Sequence, residues 1–100
     1  MEFLNPLADT NYPARSASYT ASAGATGTWA AGAQAVMVWS DQACYVLVGE
    51  GVTATSASTP IPPFTPIPFK IPASVSGQWR VSAIRVSTDG TIYCKPINSQ

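Results

Sequence analysis

The chain contains no histidine, and that absence excludes more than any residue present. Ser-His and Cys-His nucleophilic pairs need an imidazole base. Most zinc sites need either imidazoles or four clustered thiolates, and here there are only two cysteines, Cys44 and Cys94, far apart in sequence. Charge is equally scarce: five basic and five acidic side chains make 10% of the residues and a net charge of zero. Typical domains carry about 25%. The five cations, Arg15, Lys70, Arg80, Arg85 and Lys95, are scattered. Binding nucleic acid requires clustered Lys and Arg, so no nucleic-acid partner is expected. Even with Arg80, Arg85 and Lys95 on one sheet face, three charges read as a solvated surface. No apolar run approaches the ~18 residues of a membrane span, so no membrane partner is expected. The opening Met1-Glu2-Phe3-Leu4-Asn5-Pro6 lacks the basic and apolar regions of a secretion signal. A cytosolic origin, or release by lysis alone, is expected, with both cysteines as buried reduced thiols.

Helix is the next absence. Alanine is plentiful but interspersed with Gly, Ser and Thr, and no i, i+3, i+4, i+7 stripe lasts three turns. Against these gaps stands a 46% apolar content over 100 residues, enough for one domain with a modest core.

What is present reads as strands. Residues 1–15 carry Pro6 and Pro13 with isolated apolar side chains and no period, which predicts an extended, largely mobile N-terminal arm. Residues 16–100 then form a single β domain. Residues 16–22 alternate weakly around Tyr19, and residues 26–31 carry Trp29. Residues 35–39 (Ala-Val-Met-Val-Trp) and 44–48 (Cys-Tyr-Val-Leu-Val) are apolar on both parities, as in strands covered on two faces. The polar Ser40-Asp41-Gln42 between them predicts a hairpin. Residues 49–59 are small and polar and predict a long loop. Residues 60–72 hold six prolines, which excludes helix and central strand and predicts a stiff, edge-like crossover anchored by Ile61, Phe64, Ile67, Phe69 and Ile71. Residues 78–97 predict a second hairpin around Thr88-Asp89-Gly90. In that register Val86 faces Ile92 and Ile84 faces Cys94, with Gly90 at positive φ. A bulge near Ser82-Ala83 would bring Trp79 and Val81 to the same core. About seven short strands with turn signals between them indicate an all-β fold. The specific expectation is a small β-sandwich or jelly-roll-like barrel whose Pro-rich crossover joins two sheets.

No catalytic constellation is visible. Asp9 lies in the arm, Asp41 and Asp89 fit turn chemistry, and Glu50 sits at a loop tip. Gly49-Glu50-Gly51 lacks the remainder of a phosphate loop. No enzyme activity and no cofactor or metal are therefore expected. Of the aromatic residues, Trp39 and Trp79 lie in core-like runs, whereas Tyr45 and Tyr93 are candidates for a partner-facing surface.

Cys-Tyr-Val-Leu-Val-Gly at 44–49, the small-residue loop through Ala54-Thr55-Ser56, the Pro-rich stretch and the run from Val81 to Tyr93 together resemble the layout of small virion proteins of tailed bacteriophages. The resemblance spans roughly residues 30–96. It implies a virion location and a non-enzymatic capsid decoration, or cement, protein. Its implied partners are the major capsid protein and copies of itself, often as trimers. The expected contact residues are Phe3, Leu4, Leu7 and Tyr12 of the arm, Phe64 of the Pro-rich segment, and Tyr45 and Tyr93. A tail, connector or fibre component and a receptor- or carbohydrate-binding module are the alternatives.

Overall fold

The computed structural model describes residues 4–7, 10–72 and 77–99. Phe3 and Asp9 lie outside the described residues. Among the described residues there is no helix. Nine strands run β1 (Leu4–Pro6), β2 (Arg15–Tyr19), β3 (Gly24–Ala25), β4 (Ala35–Ser40), β5 (Cys44–Gly49), β6 (Thr59–Ile61), β7 (Ile67–Lys70), β8 (Arg80–Arg85) and β9 (Gly90–Ser99). They form two antiparallel sheets. In the first, β9 pairs with β1 and β2 along one side and with β4 on the other, and β4 pairs with β7. The second has the order β3-β8-β5-β6.

The sequence explains the inward faces. Val36 and Val38 of β4, Val46 and Val48 of β5, and Val81 and Ala83 of β8 follow the period of two that a pleated strand imposes. With Tyr19, Ile92, Cys44 and Cys94 they form one buried cluster drawn from both sheets. β-Branched side chains suit this pleated surface. Trp29 and Trp79 close one end, with ring centroids 4.7 Å apart, and the Arg15 guanidinium lies 5.7 Å from the Trp29 ring centroid.

Both predicted hairpins are overturned. β4 and β5 belong to different sheets, and so do β8 and β9. Each connection is an arch that carries the chain across the core. A polar break of three residues spans about 10 Å when extended, which is also the spacing of stacked sheets. The same local residues therefore serve an arch as readily as a hairpin. The arches bond to each other instead. Asp41 N–H donates to Thr91 O (3.3 Å), Thr91 N–H donates to the Asp41 Oδ1 carboxylate (2.8 Å), and Val86 N–H donates to Ala43 O (3.4 Å). Gly90 opens β9 and is not among the glycines with positive φ. Its requirement is space: a Cβ there would meet the Tyr19 hydroxyl at 2.5 Å and Asp41 Oδ1 at 2.6 Å.

The expected bulge at Ser82-Ala83 is also absent. The β5–β8 register runs one-to-one from Cys44↔Arg85 to Gly49↔Arg80. Val81 and Ala83 point inward, while Ile84 is half-buried and Val86 lies exposed beyond the strand end.

The segment expected to be a mobile arm is bonded to the body wherever it is described. β1 pairs with residues 97–99. Leu7 N–H donates to Pro96 O, the Tyr12 hydroxyl donates to Ala31 O, and Pro13 O accepts from Trp29 Nε1. The Pro-rich residues run from β6, at the edge of the second sheet, to β7, at the edge of the first. Pro60 and Pro68 lie within these edge strands and remove ladder donors, which blunts both edges against strand addition.

Candidate functional site

The polar groups that sequence reading singled out are mostly engaged in structure. Asp41 accepts the Thr91 amide. Asp89 forms an exposed ion pair with Arg85 at 2.7 Å. Glu50, which had no evident role, accepts the Gly77 amide at 3.3 Å. Arg80 donates through Nε and Nη2 to Val52 O. Arg80 and Arg85 sit in the second sheet and Lys95 in the first, so the three cations do not share a face. Among the described residues no three His, Cys, Asp or Glu side chains converge.

Cys44 and Cys94 are both buried, and neither forms a disulfide. Burial raises both thiol pKa values above the usual range. Thiolate is the reactive form, so these thiols are chemically quiet. Beside Cys44, the Tyr19 hydroxyl lies 2.6 Å from Ser40 Oγ and donates to Gln42 O at 2.8 Å, while Ser40 Oγ donates to Thr91 O at 3.1 Å. Two hydroxyl hydrogens thus serve three contacts. Burial raises the Tyr19 pKa to about 12, with the Ser40 hydrogen bond acting in the opposite direction. All three groups hold their protons more tightly folded than unfolded. Their contribution is complete below the unfolded thiol and phenol values, roughly 8.5 and 10, and is lost as pH rises through the folded ones. The melting temperature is therefore expected to fall steadily from about pH 9 towards pH 12. A melting temperature constant over that range would place these groups in water.

The notable surface lies on the outward side of the first sheet. Trp39 of β4 and Tyr93 of β9 are cross-strand partners, with rings stacked at 4.5 Å and 21°. Such aromatic pairs contribute about 0.5–1.5 kcal/mol beyond their burial. Phe64 flanks Trp39 on the Pro-rich segment, 6.3 Å away and tilted by 35°. It is 69% exposed. Its φ is 56°, left-handed for a non-glycine residue, and its amide donates to Ser40 O at 2.7 Å. A shallow hollow of about 90 Å³ lies beside this ledge, lined by Ala14, Met37, Trp39, Tyr93, Cys94 and Lys95. Lys95 Nζ donates to Tyr12 O at 2.8 Å.

Two of the predicted contact residues, Phe64 and Tyr93, therefore meet on one ledge. Tyr45 is half-buried on β5 in the other sheet. Leu4 lies in β1, and Leu7 and Tyr12 are half-buried beside the body. Trp39 was expected in the core and instead joins the outer face. Val36 and Val38 occupy the inward parity of β4, and alternation turns Trp39 outward with Met37. That alternation was legible in Ala-Val-Met-Val-Trp, since the two β-branched residues share one parity. The outer face of the second sheet is partly covered: Ala54 and Ser82 are only 2% and 1% exposed, joined by a bond from the Ala54 amide to Ser82 Oγ. No protein-family model, curated protein or solved structure matches the chain.

Proposed function

We propose that this chain is a non-enzymatic virion structural protein of a tailed bacteriophage, of the capsid decoration type. It would bind the outer shell, with the major capsid protein as partner, and stabilise joints between capsomers. One observation carries the reading beyond the sequence resemblance: the strand order. β2-β9-β4-β7 in one sheet and β3-β8-β5-β6 in the other supports a jelly roll, two sheets layered as a β-sandwich and connected by arches. Viral capsid domains use this architecture repeatedly. The low charge of the surface suits a protein that works while covered by neighbours.

A carbohydrate-binding module is the second reading that an aromatic ledge invites. Trp39 is stacked on Tyr93 at 4.5 Å and flanked by Phe64 at 6.3 Å, so part of its ring surface is already taken up within the chain. The decoration reading is therefore preferred. A reaching N-terminal arm is not part of the proposal, because the described part of that segment is bonded to β9 and to the loop before β4.

One fold hosts many functions, so copy number has to decide. The experiment is quantitative mass spectrometry of purified particles of the encoding phage, measured against the major shell protein. A ratio of one to one, or one to a few, is expected. A few copies per hundred shell subunits would assign the chain to tail, connector or fibre, and absence from the particle would end the virion reading.

A further inference from the structure

We infer that the outward face of the first sheet, centred on Phe64, Trp39 and Tyr93, docks onto a protein surface that offers an apolar socket flanked by carboxylates. The inference rests on the virion reading and names the face that would meet the shell.

Phe64 is the starting point. Left-handed backbone is disfavoured for a non-glycine residue, and strain of this kind clusters at functional sites. Exposing a phenyl ring also forgoes the gain of its burial. Phe64 carries both costs, and its ring lies tilted beside Trp39, 6.3 Å away. A proline-bounded segment and the bond from its amide to Ser40 O hold it there as a preformed knob. Preformed aromatic anchors are what interface hot spots are made of.

Charge identifies the partner. Registers place Lys70 opposite Ala35 and Lys95 opposite Met37, on the same parity as Trp39. The outward parity of β2, β9, β4 and β7 carries no acidic residue. Lys70 is exposed, while Lys95 is half-buried with its Nζ bonded to Tyr12 O. An aromatic centre bordered by the Lys70 cation complements an apolar socket bordered by Asp or Glu. A second copy of the chain fits poorly, because a two-fold contact pairs this face with itself and its strands offer no carboxylate to meet Lys70.

Area sets the strength. Four strands at about 4.8 Å and four to six residues at about 3.3 Å make a face of at most roughly 400 Å², and Ile97, on the same parity, is buried at one end of it. A stable interface needs about 500 Å² or more from each partner. A single copy would therefore bind weakly, and a repeating shell would multiply the contact through symmetry and neighbours. The other surfaces are less suited, with both Pro-bearing edges blunted and the second sheet partly covered by the loop through Ala54.

The test is cosedimentation of the purified full chain with shells prepared from phage lacking its gene. Three variants are compared: Phe64→Gly, Lys70→Glu, and Leu47→Ser on the opposite sheet. Phe64→Gly relieves the backbone strain, so it should melt no lower than wild type yet bind at least tenfold more weakly. Lys70→Glu should weaken binding several-fold at low salt and less at high salt. Leu47→Ser should bind as wild type does. Wild-type binding with Phe64→Gly within twofold of it would overturn the docking face, as would an equal loss in Leu47→Ser. Failure of the wild-type chain to bind shells would remove the virion reading and this inference with it.

Discussion

Trp79→Ala is expected to bring the domain close to unfolding at room temperature. The side chain is fully buried. Its ring packs on Trp29 at 4.7 Å, its indole Nε1 donates to Ala30 O at 3.0 Å, and the two tryptophan backbones exchange amide bonds at 2.9 and 3.0 Å. Truncation leaves a cavity and an unpaired carbonyl at the end of the core. Large aromatic-to-alanine changes in cores cost about 3–5 kcal/mol. A domain of this size has only about 5–15 kcal/mol in total. The melting temperature should drop by at least about 12 °C, and the urea midpoint by at least about 1 M. A loss under about 1 kcal/mol would mean that the indole does not fill this core.

Ser82→Ala should have the second-largest effect, although it removes one oxygen. Ser82 is buried, yet it points to the outward side of β8 beneath the loop of residues 50–58. Its hydroxyl donates to Gly24 O at 2.9 Å and accepts the Ala54 amide at 2.9 Å. One atom thus links β3, β8 and the loop. Alanine would leave the buried Ala54 amide without its partner, at about 1–3 kcal/mol, and remove a further bond from the half-buried Gly24 carbonyl at a smaller cost. A total loss of about 2–4 kcal/mol is expected. Part of it should appear locally, because a loop released from its anchor opens before the rest of the domain. Hydrogen exchange at the Ala54 amide should therefore accelerate more than exchange in β4 or β9. Unchanged stability with a still-protected Ala54 amide would remove Ser82 from this role. Among the described residues no buried side-chain nitrogen or oxygen lacks a partner.

The same hydroxyl shows where sequence reading stops. Ser82 sits in Val81-Ser82-Ala83-Ile84, where the sequence suggested a bulge. A segment about thirty residues earlier in the chain covers it, and local pattern has no access to that contact. Gly90 teaches the same point: a positive φ was expected, but what excludes a side chain there is the Tyr19 hydroxyl of β2 and the Asp41 carboxylate of the arch after β4.

The candidate site was half legible. Phe64 stood out as an apolar anchor among prolines, and Tyr93 through its parity. Trp39 was missed because a run of apolar residues obscured its alternation. That these three rings meet depended on pairing β4 with β9, strands about fifty residues apart, which the hairpin reading had placed with other partners.

By itself the sequence determined the class of the molecule. Absent helical periodicity, β-branched alternation and proline-rich edges leave only an all-β domain, because these preferences act within a few residues. The lack of histidine excluded nucleophilic pairs that need an imidazole base. Tertiary structure alone decided the topology: arches and hairpins use the same turn residues, and only burial against distant strands selects between them. It also decided which aromatic rings are core and which form the ledge, since alternation defines two faces but not which of them the other sheet will cover.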